Sequence, residues 1–237
     1  MRLIIVRHGD PDYENDCLTE LGHRQAEIAA QRLLQEQISE IYSSSCGRAI
    51  ETAEAFSKAS GIQKIDILDF MKEIRFGREE HLYTELNPWY GVDDMIQEGW
   101  DLRDPDWREH PIYKENTATV DVDQIAKATD TWLQTLGYER EGLYYRNTNA
   151  VTEEKTIALF CHGGSETAML SHIYNLPFPF LCGTIHMPHT AISILRFDKR
   201  PGSLNQPILE LLSDATHLRQ MKEGIRVSEY SKNPNIT

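Results

Sequence analysis

The run Leu3-Ile4-Ile5-Val6 breaks off at Arg7-His8-Gly9, and that break constrains the fold more than any other stretch of the chain. Consecutive apolar residues without alternation suit a strand covered on both faces, as in a parallel sheet. A cation, an imidazole and a glycine directly after it put chemistry at the carboxyl end of that strand, where ligands collect in open α/β sheets. Arginine presents a rigid fork of donors to phosphate, histidine acts as nucleophile or proton carrier, and glycine lets the chain turn tightly. Three residues alone are also compatible with an ordinary loop, so the meaning of the motif depends on what the other strand ends carry.

Downstream, Thr19 is placed to cap a helix whose Gly22, Ala26, Ala29, Ala30 and Leu33 form a small-residue face suited to packing on a sheet. Glu40-Ile41-Tyr42-Ser43 reads as a short strand, Ser44 to Gly47 as a turn, and Ala49, Ala53 and Phe56 as the buried face of a second helix that Gly61 ends. Ile65-Asp66-Ile67-Leu68 alternates like a third strand and leads to Glu73-Ile74-Arg75-Phe76-Gly77. After a long interruption, Thr156 to Cys161 gives a second continuous apolar strand that ends at His162-Gly163-Gly164. A helix from about Ser165 to Tyr174 and strands near Ala191 to Phe197 and Ile208 to Leu212 follow. This order predicts a three-layer α/β/α sandwich with a mostly parallel central sheet. One domain is expected over 1–237, with an insertion and possible lid over about 78–155 and a C-terminal tail over about 213–237.

Within the insertion, Val122, Ile125, Ala126, Thr129, Trp132, Leu133 and Leu136 recur at helical spacing, which predicts an amphipathic helix packed on the core. Trp89, Tyr90, Trp100, Trp107 and Tyr113 lie among Asn, Asp, Gly and Pro and read as an irregular covering segment. Between Gly77 and Lys155 there are eight Lys or Arg against eighteen Asp or Glu, so this segment carries −10 of the chain's net charge of −13. Such a balance opposes nonspecific attraction to nucleic acid or an anionic membrane, and neither is an expected partner. The first apolar run is too short for a membrane helix and is cut by Arg7 and Asp10, so a cytoplasmic protein is expected. Cys17, Cys46, Cys161 and Cys182 are scattered without metal-site spacing, and no metal or other cofactor is expected.

If the two apolar strands are neighbours and parallel, both histidine-glycine ends reach one edge, and Arg48 in the turn after Ser44-Ser45-Cys46-Gly47 can face it too. Arg7-His8-Gly9, the segment Leu18 to Ala26, Ser44 to Thr52, Lys72 to Gly77 and Cys161-His162-Gly163-Gly164, in that order and spacing, resemble the histidine phosphatase superfamily in its phosphoglycerate mutase-like branch. The resemblance runs from the start to about residue 197 and leaves the insertion and tail unmatched. It implies that His8 accepts the phosphoryl group, that Arg7, Arg48 and His162 grip the nonbridging oxygens together with Gly163, and that Glu73 is the general acid and base. Two arginine forks and a histidine meet the demands of phosphoryl transfer, which needs positioning and stabilisation of oxygen charge. Glu79 and Glu80 compete with Glu73 by proximity, and His189, beside Thr190 near the start of a late strand, can point into the same mouth, although packing or turn bonding is the favoured reading.

The family pattern breaks in two places. The run after Gly9, Asp10-Pro11-Asp12-Tyr13-Glu14-Asn15, lacks the usual hydroxyl residue and displaces the asparagine, and Arg78-Glu79-Glu80-His81 does not reproduce the usual aromatic-Glu-Gly ending. A mutase must hold a second anionic group, for which Arg78, Arg103 and Arg108 are available amid an acidic surplus. The expectation is therefore a phosphatase acting on a small phosphomonoester through a phosphohistidine. Its alternatives are phosphoglycerate mutase-type transfer, a protein phosphatase, or a noncatalytic phosphate-binding module.

Overall fold

The computed structural model describes residues 1–152 and 154–221. Strand β1 (Arg2–Arg7) leads through a short hairpin, β2 (Pro11–Asp12) and β3 (Cys17–Leu18), to α1 (Glu20–Leu33), β4 (Glu40–Ser43), α2 (Gly47–Ser60) and β5 (Ile65–Ile67). The insertion holds α3 (Pro88–Gln97), α4 (Pro111–Lys114), α5 (Thr117–Thr135) and the hairpin of β6 (Tyr138–Glu141) and β7 (Tyr144–Asn147). The chain returns through β8 (Thr156–Cys161), α6 (Gly163–Tyr174), α7 (Phe178–Thr184), β9 (Ile192–Arg196), β10 (Leu204–Asn205) and β11 (Ile208–Asp214). The central sheet has the order β11-β9-β1-β8-β4-β5. Strands β1, β8, β4 and β5 are parallel, and β9 runs against both β1 and β11.

Local signals set the helix ends. The Thr19 hydroxyl accepts from Gly22 N at 3.0 Å at the start of α1, and Gly61, at φ +81°, closes α2 in the left-handed region. Helix α6 begins at Gly163, directly on the motif and ahead of the expected Ser165.

Strand alternation makes the layers. Leu3 and Ile5 of β1 and Ile157 and Leu159 of β8 join one core with residues of α5, α6 and α7. Ile4, Val6, Ala158 and Phe160 face the other way and join Ala30, Leu33, Ala53 and Phe56 of α1 and α2. The continuous apolar runs thus mark a sheet buried on both sides.

The insertion is part of this core rather than a detached cover. Val92, Met95, Trp107, Tyr113, Val122, Ile125 and Leu133 pack in the same cluster as Leu3 and Ile157. The expected irregular segment is in part helical: Asn87 accepts from Trp89 N at 3.0 Å and Pro88 occupies the first turn, a start signal that launches α3. Strands β6, β7 and β10 form a second, three-stranded sheet, in which Leu204 and Asn205 pair with Arg146 and Tyr145. At the C-terminal end, β11 continues to Asp214, and a 3-10 turn over Thr216–Gln220 buries Leu218. The first residues of the expected tail are therefore structured; 222–237 lie outside the described residues. Among the described residues no helix is long and apolar enough to cross a membrane.

The loop after β1 lies directly on the first turn of α1. A Cβ at Gly22 would sit 2.2 Å from the Asp10 carbonyl oxygen, and one at Gly9 2.6 Å from that of Gly22. Asp10 N donates to Gln25 Oε1 at 2.7 Å and the Thr19 hydroxyl to Asp10 Oδ2 at 2.7 Å, which fixes the loop that follows His8. Gly22→Ala must push the backbones apart, and a loss of about 1–3 kcal/mol is expected, as for overpacked sites. Chemical denaturation of the variant checks this.

Candidate active site

Parallel pairing of β1 with β8 sets Arg7 opposite Cys161, and His8 N donates to the Cys161 carbonyl at 2.9 Å. Both strands therefore end at the same level. The His8 and His162 rings lie 5.0 Å apart between centroids. His8 is buried and its Nδ1 lies 2.6 Å from the Gly9 carbonyl oxygen. A carbonyl only accepts, so Nδ1 carries the proton and Nε2 keeps its lone pair. Burial, and then the neighbouring imidazoles and guanidinium groups of His162, Arg7, His189 and Arg48, hold His8 well below the usual imidazole range. It is a neutral imidazole set among cations.

Arg7 is buried against the first turn of α6, where a Cβ on Gly163 would meet its guanidinium at 3.6 Å, and its Nη1 donates to the Met187 carbonyl. Arg48, in the first turn of α2, is also buried and pairs through Nη1 with Asp16 Oδ1 at 2.5 Å. Asp16 also accepts from Gly47 N at 2.7 Å, so one carboxylate holds both the helix start and the arginine. His162 is fully buried, bonds Ser44 Oγ through Nε2 at 2.9 Å, and is held well below the usual imidazole range by burial and then by Arg48 and Arg7. Two nitrogens of this group, Arg7 Nε and Arg48 Nε, are buried without a hydrogen-bond partner among the described residues. An unpartnered buried polar group costs about 1–3 kcal/mol, and an oxyanion is the chemical group that satisfies several converging donors at once.

Glu73 reaches the same centre from the loop after β5. Its Oε1 accepts from Ile74 N at 2.9 Å and Ser165 N at 3.1 Å, and its Oε2 from Gly164 N at 3.3 Å. The carboxyl thus occupies the amino end of α6, a place favourable to negative charge. Burial nevertheless outweighs Arg7, the backbone donors and Arg48, and raises the Glu73 pKa above the ordinary carboxylate value. Glu79 and Glu80, its sequence competitors, are exposed.

Two clefts flank the centre. One of about 630 Å³ is lined by Arg48 and Glu73 together with Arg75, Tyr83 and Asp121. A smaller one of about 260 Å³ is lined by Arg7 and Gly163 and by Trp89, Tyr90 and Asp93 of α3. Of the insertion aromatics, Trp107 and Tyr113 are core residues stacked edge-to-face at 4.9 Å, whereas Trp89 and Tyr90 of α3 line the smaller cleft and Tyr83 the larger one. Among the described residues no three His, Cys, Asp or Glu side chains are grouped so as to hold a metal ion.

The structure brings Arg7, His8, Arg48, Glu73, His162 and Gly163 together. It adds Asp16, which the sequence did not single out, and it brings in His189, for which the sequence left both the mouth of the site and packing open. His189 lies with its ring 5.6 Å from that of His8, and burial, then Arg7 and His186, lower its pKa to about 3. Asp16 holds Arg48, although nothing local in Glu14-Asn15-Asp16 marks it; its positive φ of 49° is the only unusual local feature.

The sequence matches the histidine phosphatase superfamily (branch 1) over residues 3–207. A putative phosphoserine phosphatase 2 of Hydrogenobacter thermophilus is 22% identical, covering 93% of this chain and 98% of its own. A probable phosphoglycerate mutase of Serratia proteamaculans is 23% identical, with 92% and 95% covered. Among solved structures, phosphoserine phosphatase from Entamoeba histolytica in complex with 3-phosphoglyceric acid superposes with a TM-score of 0.62 at 21% identity, covering 92% of this chain and 98% of that one. This chain belongs to the histidine phosphatase superfamily, and its fold is the phosphoglycerate mutase-like one.

The Asp16 pair predicts that Asp16→Ala releases Arg48 without touching the core. Inorganic phosphate should bind about tenfold more weakly, the size of one charge-assisted hydrogen bond. Isothermal titration at fixed ionic strength measures it, with circular dichroism confirming an unchanged fold.

Proposed function

We propose that the protein is a phosphatase that hydrolyses a small phosphomonoester through a phosphohistidine on His8. The observation that carries this reading is the His8 tautomer: a neutral imidazole with its Nε2 lone pair available, beside two buried arginines and a second neutral histidine. Nε2 attacks phosphorus in line, the P–O ester bond breaks, and Glu73 donates its proton to the leaving oxygen. Water then attacks the phosphohistidine, Glu73 takes back a proton, and inorganic phosphate leaves. Arg7, Arg48 and His162 bind the equatorial oxygens as their charge shifts. Glu73 has to begin protonated, and its raised pKa favours that form.

Hydrolysis is favoured over mutase transfer by the charge pairing of the insertion. Arg78 pairs with Glu85 at 2.8 Å and Glu115 at 3.1 Å, Arg103 with Asp101 at 2.8 Å, and Arg108 with Asp123. In the larger cleft Arg75 is held by Asp121 at 2.8 Å and Lys72 by Asp69 at 2.7 Å. The cations available to grip a second anionic group are therefore already neutralised. The names of two relatives, the putative phosphoserine phosphatase and a glucosyl-3-phosphoglycerate phosphatase of Mycolicibacterium vanbaalenii that is 25% identical, point to the same class of reaction.

Release of phosphate from a panel of monoesters tests the proposal, with 3-phosphoglycerate primed by bisphosphoglycerate as the mutase arm. His8→Ala is expected to abolish both turnover and acid-labile labelling; labelling retained in that variant refutes the assignment. Labelling of the wild type should persist at pH 5, where an imidazole of ordinary pKa, about 6.5, would be protonated, because His8 is held well below that value. Glu73→Gln should lower kcat by roughly 10²–10⁴-fold for alkyl phosphates, the usual worth of a general acid, and far less for p-nitrophenyl phosphate, whose leaving group needs no proton. Equal losses on both substrates would remove Glu73 from that role.

A further inference from the structure

Below the site lies a carboxyl group that the proposed reaction does not use. Glu166, in the first turn of α6, is fully buried, and neither of its oxygens has a partner at full hydrogen-bond geometry among the described residues. Strand register says what lies under it. Arg7 follows Leu3 and Ile5 on the α6 face of β1, Cys161 is its partner on β8, and Ser193 of β9 sits opposite Ile5. These three side chains form the floor onto which the first turn of α6 packs. Arg7 is the one cation of that floor, and its Nε is itself buried and unpartnered.

We propose that Glu166 is the buried counter-charge of Arg7 and takes up a proton from solvent when an oxyanion binds at the Arg7 guanidinium. This rests on the reading of Arg7 as an oxyanion ligand, and it makes Glu166 a positioning residue that acts through Arg7. Without ligand, the Arg7 charge favours the carboxylate. A bound dianion cancels that charge at close range, and a buried carboxylate then faces net negative potential with only the Ser193 hydroxyl to relieve it, so the neutral acid wins.

The carboxyl is poised for this. Burial outweighs the Ser193 side chain and Arg7 and pushes it up to about 7, so the free protein holds it near half-ionised at neutral pH. The other titratable group of the floor, the Cys161 thiol, is driven well above its ordinary value by burial and then by Glu166, and stays neutral. The Ser193 hydroxyl oxygen accepts from Ser213 N at 3.0 Å and keeps its own proton to donate toward Glu166. The sign follows by linkage: the complex binds more protons than the free protein, so oxyanion affinity rises as pH falls through neutrality.

Sulfate is the probe, because it stays a dianion across the range whereas phosphate titrates. In the wild type, sulfate affinity should fall from pH 6 to 9 by roughly tenfold for each unit by which binding raises the Glu166 pKa, and calorimetry in two buffers of different ionisation enthalpy should show uptake of a fraction of a proton at pH 7. Glu166→Gln should keep the pH 6 affinity and lose both the slope and the uptake. Glu73→Gln should retain both, which separates Glu166 from the half-buried acid of the centre. A Glu166→Gln protein with the wild-type slope overturns the proposal, and so does a Glu73→Gln protein without proton uptake, a result that needs no folded Glu166 variant. If Arg7→Ala binds sulfate as tightly as the wild type, the reading of Arg7 as oxyanion ligand fails instead.

Discussion

The pairing of β1 with β8 is the constraint on which the rest of the centre depends. Parallel neighbours in register, Arg7 against Cys161, end at one level, and a single hydrogen bond from His8 N to the Cys161 carbonyl carries that register into the motif. His8 and His162 then stand side by side because two separate apolar runs stop at the same edge. Helix α6 starts on the second of these histidines, so its amino end faces the same place, and Glu73 is seated on its first amides. A shift of register by one residue would turn Arg7 away from α6 and separate the two imidazoles.

Charge in this protein is arranged by burial rather than by composition. The chain is acidic overall, yet the centre gathers two buried arginines and keeps three neighbouring histidines, His8, His162 and His189, below the usual imidazole range. The same burial acts with opposite sign on the acids and lifts Glu73 and Glu166 toward their neutral forms. Desolvation thus favours an unprotonated nucleophile and a protonated acid together. The insertion leaves this balance alone because its arginines are paired with its own acids, while its apolar residues complete the core on the α6 side.

Much of this was legible in the chain itself. The unbroken runs Leu3 to Val6 and Ile157 to Cys161 mark strands buried on both faces, and Thr19, Gly22 and Gly61 mark the helices between them; each signal is local, and each is found where it was read. Arg7, His8 and His162 could be chosen because they stand at strand ends, Arg48 because it stands in the first turn of a helix, and Glu73 because of the resemblance to the family. Asp16 and Glu166 could not. Asp16 meets Arg48 across 32 residues, and Glu166 looks from the sequence like an ordinary acidic residue in a helix's first turn. The start of α3 at Asn87-Pro88 was present in the sequence but masked by surrounding turn residues, and the pairing of β10 with β7 joins segments that no local pattern connects.

The sequence by itself determined the order of strands and helices, which residues close each strand, and the family to which those closures belong. Periodicity, caps and glycines act over a few residues, so a linear reading recovers them. Tertiary structure alone decided which nitrogen of His8 carries the proton, that Asp16 holds Arg48, and that a fully buried acid lies behind Arg7. Those properties depend on burial and on partners brought from distant segments, and neither exists until the sheet has formed.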